Sequence, residues 1–341
     1  MREAPNIPVE RLRACLWERY GLTAMTLEFL PRGADYNAGV YRVVSELGTV
    51  YLLKVTSRPL YEPSYLIPRY LRDHGITAVV APIPTTSAAL WTPLTEWRVI
   101  VYPWISGDSS LTGMTQAQWQ EVGSVFKRIH HLPLAPADGF ASLRNETFDP
   151  TGYIRWVRDF ETHHLHPRHG DSDSAHSLRA AWMAHQPTIH TVVTCLETLG
   201  SALQPRALPS VICHADLHAA NLLRDPAGRV FVIDWDEVML APKERDFIFV
   251  REPQATAFWD GYGQREIDWV ALTYFRWERV IQDLIEEAQL VCFRDDVGEE
   301  TKAIAAQRFV TGFTAGNNVA AAYAAAAHLP SDLALPNTPG S

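Results

Sequence analysis

A strand that ends in an acid-bearing loop, followed by a hairpin that delivers further acids, is written into the middle of this chain. The first segment is Ile212-Cys213-His214-Ala215-Asp216-Leu217-His218-Ala219-Ala220-Asn221, and the second is Val230-Phe231-Val232-Ile233-Asp234-Trp235-Asp236. Asp216 and Asn221 stand five residues apart in the loop, and Asp234 closes the next apolar run. Phosphoryl transfer wants such a set. One carboxylate accepts or orients the proton of an attacking hydroxyl, while an amide oxygen and a second carboxylate hold Mg²⁺ against nucleotide phosphates. The bland alternative makes His214 and Asp216 the closure of a tight turn. It is disfavoured because the polar positions come in the required order between apolar strands. A zinc site built on His214 and His218 is weaker still: such a pair works best on a helix, these follow a β-run, and no glutamate adjoins the first histidine.

The flanking sequence divides in character. Val9, Leu12 and Leu16 recur at helical spacing in Val9–Tyr20, and short β-rich runs follow at Thr26–Leu30, Gly39–Val44 and Thr49–Val55. A helix is expected over Pro63–His74 and a buried strand over Trp97–Tyr102. Lys54 sits inside the apolar run Tyr51-Leu52-Leu53-Lys54-Val55, where a charged head needs a partner and invites an anion. Beyond Tyr102–Gly107 helical patterns take over. Thr115 and Gln118 form a capping-box pair ahead of the stripe Trp119, Val122, Phe126 and Ile129. Further helices are expected over Ser174–Gly200 with a break at Pro187, Ile267–Leu290 and Glu299–Gly312, with a tail from Leu329 onward.

The 30 Lys and Arg against 39 Asp and Glu leave a formal charge of -9. That balance argues against nucleic acid or an anionic membrane as partner and favours a cationic ligand. Four scattered cysteines suggest neither zinc nor redox work, and no run approaches the ~20 apolar residues that span a bilayer. A cytoplasmic protein, monomer or homodimer, is the expectation.

The pattern H-x-D-x-x-x-x-N, followed by an Asp at the end of the next apolar strand, resembles the aminoglycoside phosphotransferase and choline kinase family. Through the string IDWDEVMLAPKERDF it resembles most the spectinomycin phosphotransferase branch, and the likeness extends from the first helix to about Leu290. The resemblance implies an α+β, protein-kinase-like two-lobed fold, with a small antiparallel-sheet N-lobe and a larger, mainly helical C-lobe. The expected parts are a nucleotide-binding lobe at 1–101, a hinge at 102–107, a catalytic and substrate-binding lobe at 108–328 and a flexible tail at 329–341. It implies ATP and Mg²⁺ as cofactors, with Asp216 as catalytic base, Asn221 and Asp234 as metal ligands, and His214 orienting the loop. Lys54 would meet the phosphates and pair with Glu62. Gly33, Asp35 and Asn37 would belong to the loop covering the phosphates, and Val101, Tyr102 and Trp104 to the adenine-binding hinge. Asp246 would buttress the catalytic loop. The implied acceptor is a hydroxyl of an aminocyclitol or aminoglycoside antibiotic, spectinomycin above all, giving resistance. Its amines would meet Asp236, Glu237, Glu278 and Asp283. A metabolic kinase for choline, a sugar derivative or an amino alcohol is the alternative, and a nucleotide-binding pseudokinase a second. The run His163–His169 is expected to be an exposed insertion loop rather than a metal site.

Overall fold

The β-rich runs of the first hundred residues fold as one antiparallel sheet, in the order β1 (Ala24–Leu30), β2 (Ala38–Ser45), β3 (Val50–Thr56), β5 (Trp97–Pro103), β4 (Thr92–Leu94). The computed structural model describes residues 4–31, 37–109, 113–133, 140–166, 170–263, 266–314 and 316–334. Gly33 and Asp35 of the expected phosphate loop, residues 167–169 of the histidine run and residues 335–341 of the tail lie outside the described residues.

Successive strand side chains point to opposite faces. Tyr41 and Val43, Leu53 and Val55, and Val99 and Val101 therefore share one face, where they pack with Leu12, Cys15 and Leu16 of α1 (Val9–Tyr20). Each fully buried aliphatic side chain there contributes about 1.5–3 kcal/mol. Lys54, opposite Ile100 in the register, and Tyr102, opposite Leu52, are out of phase with that core. They are directed to the other face of the sheet. α2 (Pro63–Asp73) follows β3 and begins on a proline, whose missing N–H costs nothing in a first turn.

The chain divides into two compact units. The first gathers Met1–Arg144, Val211–Leu240 and Glu252–Gln264; the second gathers Asn145–Ser210, Ala241–Arg251 and Arg265–Ser341. In the first unit, α3 (Gln116–His130) opens with the expected reciprocal cap: Thr115 Oγ1 accepts from Gln118 N–H at 3.2 Å, and Gln118 Oε1 from Thr115 N–H at 2.8 Å. Gln118 also donates its Nε2 to the Gly228 carbonyl, 2.8 Å away, tying the helix start to the turn between β7 (Leu222–Arg224) and β8 (Val230–Val232). α3 packs closely on α6 (Ala255–Tyr262) through two glycines. A Cβ on Gly123 would collide with the Phe258 carbonyl, and one on Gly261 with the Gln120 carbonyl.

The second unit is helical: α4 (Thr151–His163), α5 (Asp173–Leu203), α7 (Trp269–Phe293), α8 (Glu299–Thr311) and α9 (Asn318–Ala326). Trp182 anchors its core, with ring centroids 4.6 Å from Phe160 and 5.6 Å from Phe309. α5 runs unbroken through Pro187, where the sequence suggested an interruption. Met183 and Pro187 are both exposed, so the hydrogen bond that proline forfeits falls on the solvent side of the helix. The histidine run is less loose than expected in its first half. His163 ends α4, Leu165 is buried, and Arg179 donates its Nε to the His164 carbonyl at 2.7 Å. Among the described residues, no helix is long and apolar enough to cross a membrane.

Candidate active site

The acid-bearing loop lies wholly within the first unit, and backbone pairing fixes it there. β6 (Val211–Cys213) leads into His214, the β7–β8 hairpin follows, and β8 continues onto the segment after α2. Val80 N–H donates to the Val232 carbonyl at 3.0 Å, and Val232 N–H to Ala78 at 2.8 Å. On the other side of the hairpin, Asp108 and Arg224 exchange N–H donations at 3.0 and 2.9 Å. These bonds bring the end of β8 to the face of β3 that carries Lys54.

His214 is fully buried and engages backbone with both ring nitrogens. A carbonyl can only accept, so Nε2 carries the hydrogen and donates to Ile233 at 2.8 Å, while Nδ1 accepts from Asp216 N–H at 3.3 Å. The Phe126 ring of α3 lies 6.5 Å from the imidazole, centroid to centroid. His214 thus ties the loop bearing Asp216 to the strand that delivers Asp234. Those nitrogens, committed to backbone, offer nothing to zinc.

Asp216 is oriented from two directions. Asn221 Nδ2 donates to its carbonyl at 2.9 Å and to its Oδ2 at 3.2 Å, and His218 Nε2 lies 3.3 Å from the same oxygen. His218 Nδ1 accepts from Ala220 N–H at 3.2 Å, which leaves the hydrogen on Nε2, facing the carboxylate. The sequence did not single out His218 for this part. Its signal is the histidine two residues after the aspartate, at the start of a short 3₁₀ turn. Asn221 N–H and carbonyl are also engaged, the latter accepting from Ile233 N–H at 3.0 Å, so amide and acid strand are joined directly.

Ala215 and Asp234 both adopt left-handed backbone, with φ of 68° and 62°. Such conformations cost on the order of 1–3 kcal/mol in non-glycine residues and persist where surrounding structure imposes them. Here the imposing bonds are those of His214 and Asn221.

Lys54 Nζ meets Asp236 Oδ2 at 2.8 Å and Asp234 Oδ1 at 3.3 Å. Burial works against the ammonium, yet the two carboxylates outweigh it and hold its pKa well above the ordinary lysine value. The expected partner, Glu62, is not the one found. It stands exposed at the N-cap of α2, one residue before the helix starts, whereas both aspartates arrive on the Lys54 face of the sheet. Asp236, expected among the acceptor-binding acids, is engaged with Lys54 instead.

The other candidates separate cleanly. Asn37 takes part through its carbonyl, which accepts from Ser57 N–H at 2.9 Å. Val101 is fully buried and its carbonyl accepts from Ile83 N–H at 2.7 Å, while Tyr102 and Trp104 are half-buried. Trp104 Nε1 donates to Ser106 Oγ at 3.1 Å, with the Arg42 guanidinium 5.8 Å from its ring centre. Glu237 is half-exposed and pairs with Arg144 at 3.2 Å and Arg58 at 3.9 Å. In the second unit, Glu278 forms a buried ion pair with Arg245, and burial, opposed by Arg245, raises its carboxyl pKa. Asp283 pairs with Arg279 at 2.8 Å and accepts from Asn318 Nδ2 at 2.7 Å. Both acids are engaged inside their own unit. Asp246 is fully buried.

The donor set suits a hard divalent cation: the Asp234 carboxylate is half-exposed, and the Asn221 side chain uses its amide nitrogen toward Asp216, leaving the Oδ1 oxygen for a ligand.

The model of a phosphotransferase enzyme family, APH, matches residues 28–280. No curated protein matches the sequence significantly. Among solved structures, a spectinomycin phosphotransferase in complex with ADP and spectinomycin superposes with a TM-score of 0.85 at 29% identity, covering 94% of this chain and 99% of that one. An AMP-bound complex of a spectinomycin phosphotransferase gives 0.80 at 28% identity, covering 92% and 98%. A choline/ethanolamine kinase family protein from Mesorhizobium loti gives 0.56 at 16% identity over 93% and 98%, a likeness of fold.

Proposed function

Because this chain belongs to the phosphotransferase enzyme family, we propose that it transfers the γ-phosphate of ATP to a hydroxyl of an aminocyclitol antibiotic, spectinomycin being the acceptor to test first. The observation that carries this reading is the meeting of Lys54 with Asp234 and Asp236 beside the Asp216–Asn221 loop, within one unit. The choice of acceptor is supported by 29% identity, over nearly the whole of both chains, to a structure holding ADP and spectinomycin. A cytoplasmic kinase conferring resistance is the corresponding biological role. The division into a nucleotide lobe, a hinge at 102–107 and a catalytic lobe is part of the same proposal.

In this mechanism Asp216 receives the hydroxyl proton as the acceptor oxygen bonds to the γ-phosphorus, and the bond from that phosphorus to the β–γ bridging oxygen breaks, releasing ADP. His218 and Asn221 keep the carboxylate turned to the hydroxyl, and His214 keeps the loop in register with β8. Lys54 steadies the phosphates. Asn221 and Asp234 would hold Mg²⁺, which when bound offsets the negative charge of the phosphates.

An assay of ADP release with ATP and magnesium, run with spectinomycin and with choline, sugar derivatives and amino alcohols, tests the proposal. Acceptor-dependent turnover with spectinomycin supports it. Turnover confined to the metabolites would replace the antibiotic with a metabolic acceptor.

A further inference from the structure

The two carboxylates that meet Lys54 are not equivalent. Asp236 is the closer at 2.8 Å and its side chain is 24% exposed; Asp234 stands at 3.3 Å and is 49% exposed. The chain around Asp236 is also fastened from outside. Arg144 Nη2 donates to the Asp236 carbonyl at 3.2 Å, and the Tyr61 hydroxyl donates to the Val238 carbonyl at 2.6 Å. These fasteners hold one another: the Arg144 guanidinium lies 4.3 Å from the centre of the Tyr61 ring, and Arg144 N–H donates to the Tyr61 hydroxyl at 3.1 Å. Asp234 has a left-handed backbone and the more open side chain.

We propose that Asp236 is the fixed counter-charge that positions Lys54 for the nucleotide phosphates, leaving Asp234 able to exchange the lysine for the metal. The inference rests on the phosphotransfer reading above and makes Asp236 a positioning residue. A charge-assisted hydrogen bond strengthens as it shortens, so a shared ammonium is held by its nearer and better-fixed partner. Without Asp236, Lys54 closes on Asp234 alone. That contact occupies at once the cation meant for phosphate and the carboxylate meant for magnesium.

The test is calorimetric titration of ADP into the full-length protein at a series of magnesium concentrations, for the wild type and for Asp236→Asn, Asp236→Glu and Glu62→Gln. Asp236→Asn is expected to bind ADP roughly tenfold more weakly, the lower end of what losing a hydrogen bond to a charged group costs. Its magnesium requirement for half-saturation should rise as well, and Asp236→Glu should recover part of both losses. Equal or tighter ADP binding by Asp236→Asn overturns the inference, as does a larger loss in Glu62→Gln or no recovery in Asp236→Glu. A wild-type protein that fails to bind ADP would instead overturn the functional reading, a result visible before any variant is compared.

Discussion

Two cation–carboxylate assemblies in this chain make an instructive pair. In the first unit Lys54 is shared between two aspartates, one of them half-exposed and on strained backbone. In the second unit Arg245 and Glu278 form a buried ion pair, both side chains only 8% exposed, with the guanidinium 5.3 Å from the centre of the Phe275 ring and Tyr153 also hydrogen-bonded to the carboxylate. The first assembly has more carboxylates than it needs and an opening through which a ligand can claim one. The second is closed to solvent. An acid on an apolar element is therefore not enough to mark chemistry; what matters is whether its partner can be exchanged.

Variants can break this contrast, and the largest effect is expected beside the open assembly. Asp216→Asn should lower turnover by roughly two to four decades while ADP still binds, the scale of positioned acid–base catalysis. A near-normal rate of ADP release would remove Asp216 as the base. In the closed assembly, Glu278→Gln takes the buried carboxylate charge away from the Arg245 guanidinium and should cost about 3–5 kcal/mol of stability. Urea unfolding near neutral pH reads that loss, and a fall in ADP affinity without one would make Glu278 part of the site after all. Asp234→Ala should weaken magnesium-dependent ADP binding by roughly one to two decades, as losses around a metal do. An unchanged magnesium titration strikes Asp234 from the ligands. His218→Ala, which deletes one hydrogen bond to Asp216, should cost about 1 kcal/mol, or roughly fivefold, in kcat with ADP affinity intact. A loss expressed in ADP affinity alone would assign His218 to nucleotide binding rather than to the base.

Local rules made much of this legible. α1 has the bounds its apolar spacing predicts, α3 opens on the expected capping box, and the strands around Lys54 fall within a residue or two of their sequence limits. The order Asp216, Asn221, Asp234 was readable because polar residues interrupt apolar runs. Other elements lacked such a signature. α9 is a run of alanines with little amphipathic contrast, α6 contains Gly261, and α4 was passed over although Val157 and Phe160 are buried along it. The Pro187 misreading came from treating proline as a stop without knowing which face it would occupy. The partner of Lys54 was missed for another reason: Asp236 lies 182 residues away, and long-range hydrogen bonds, those of the β7–β8 hairpin among them, bring it there. Proximity along the chain favoured Glu62.

The crossing of α3 and α6 sets a tolerance for the loop that bears Asp216. At Gly123 and Gly261 an added methyl meets main chain, which no rotamer change can clear, so the helices themselves must move apart. α3 also carries Phe126, which with the nearer Trp235 gives His214 its aromatic surroundings. Widening that crossing by an ångström would slacken one wall around the imidazole, and with it the hold that His214 has on the backbone of Asp216.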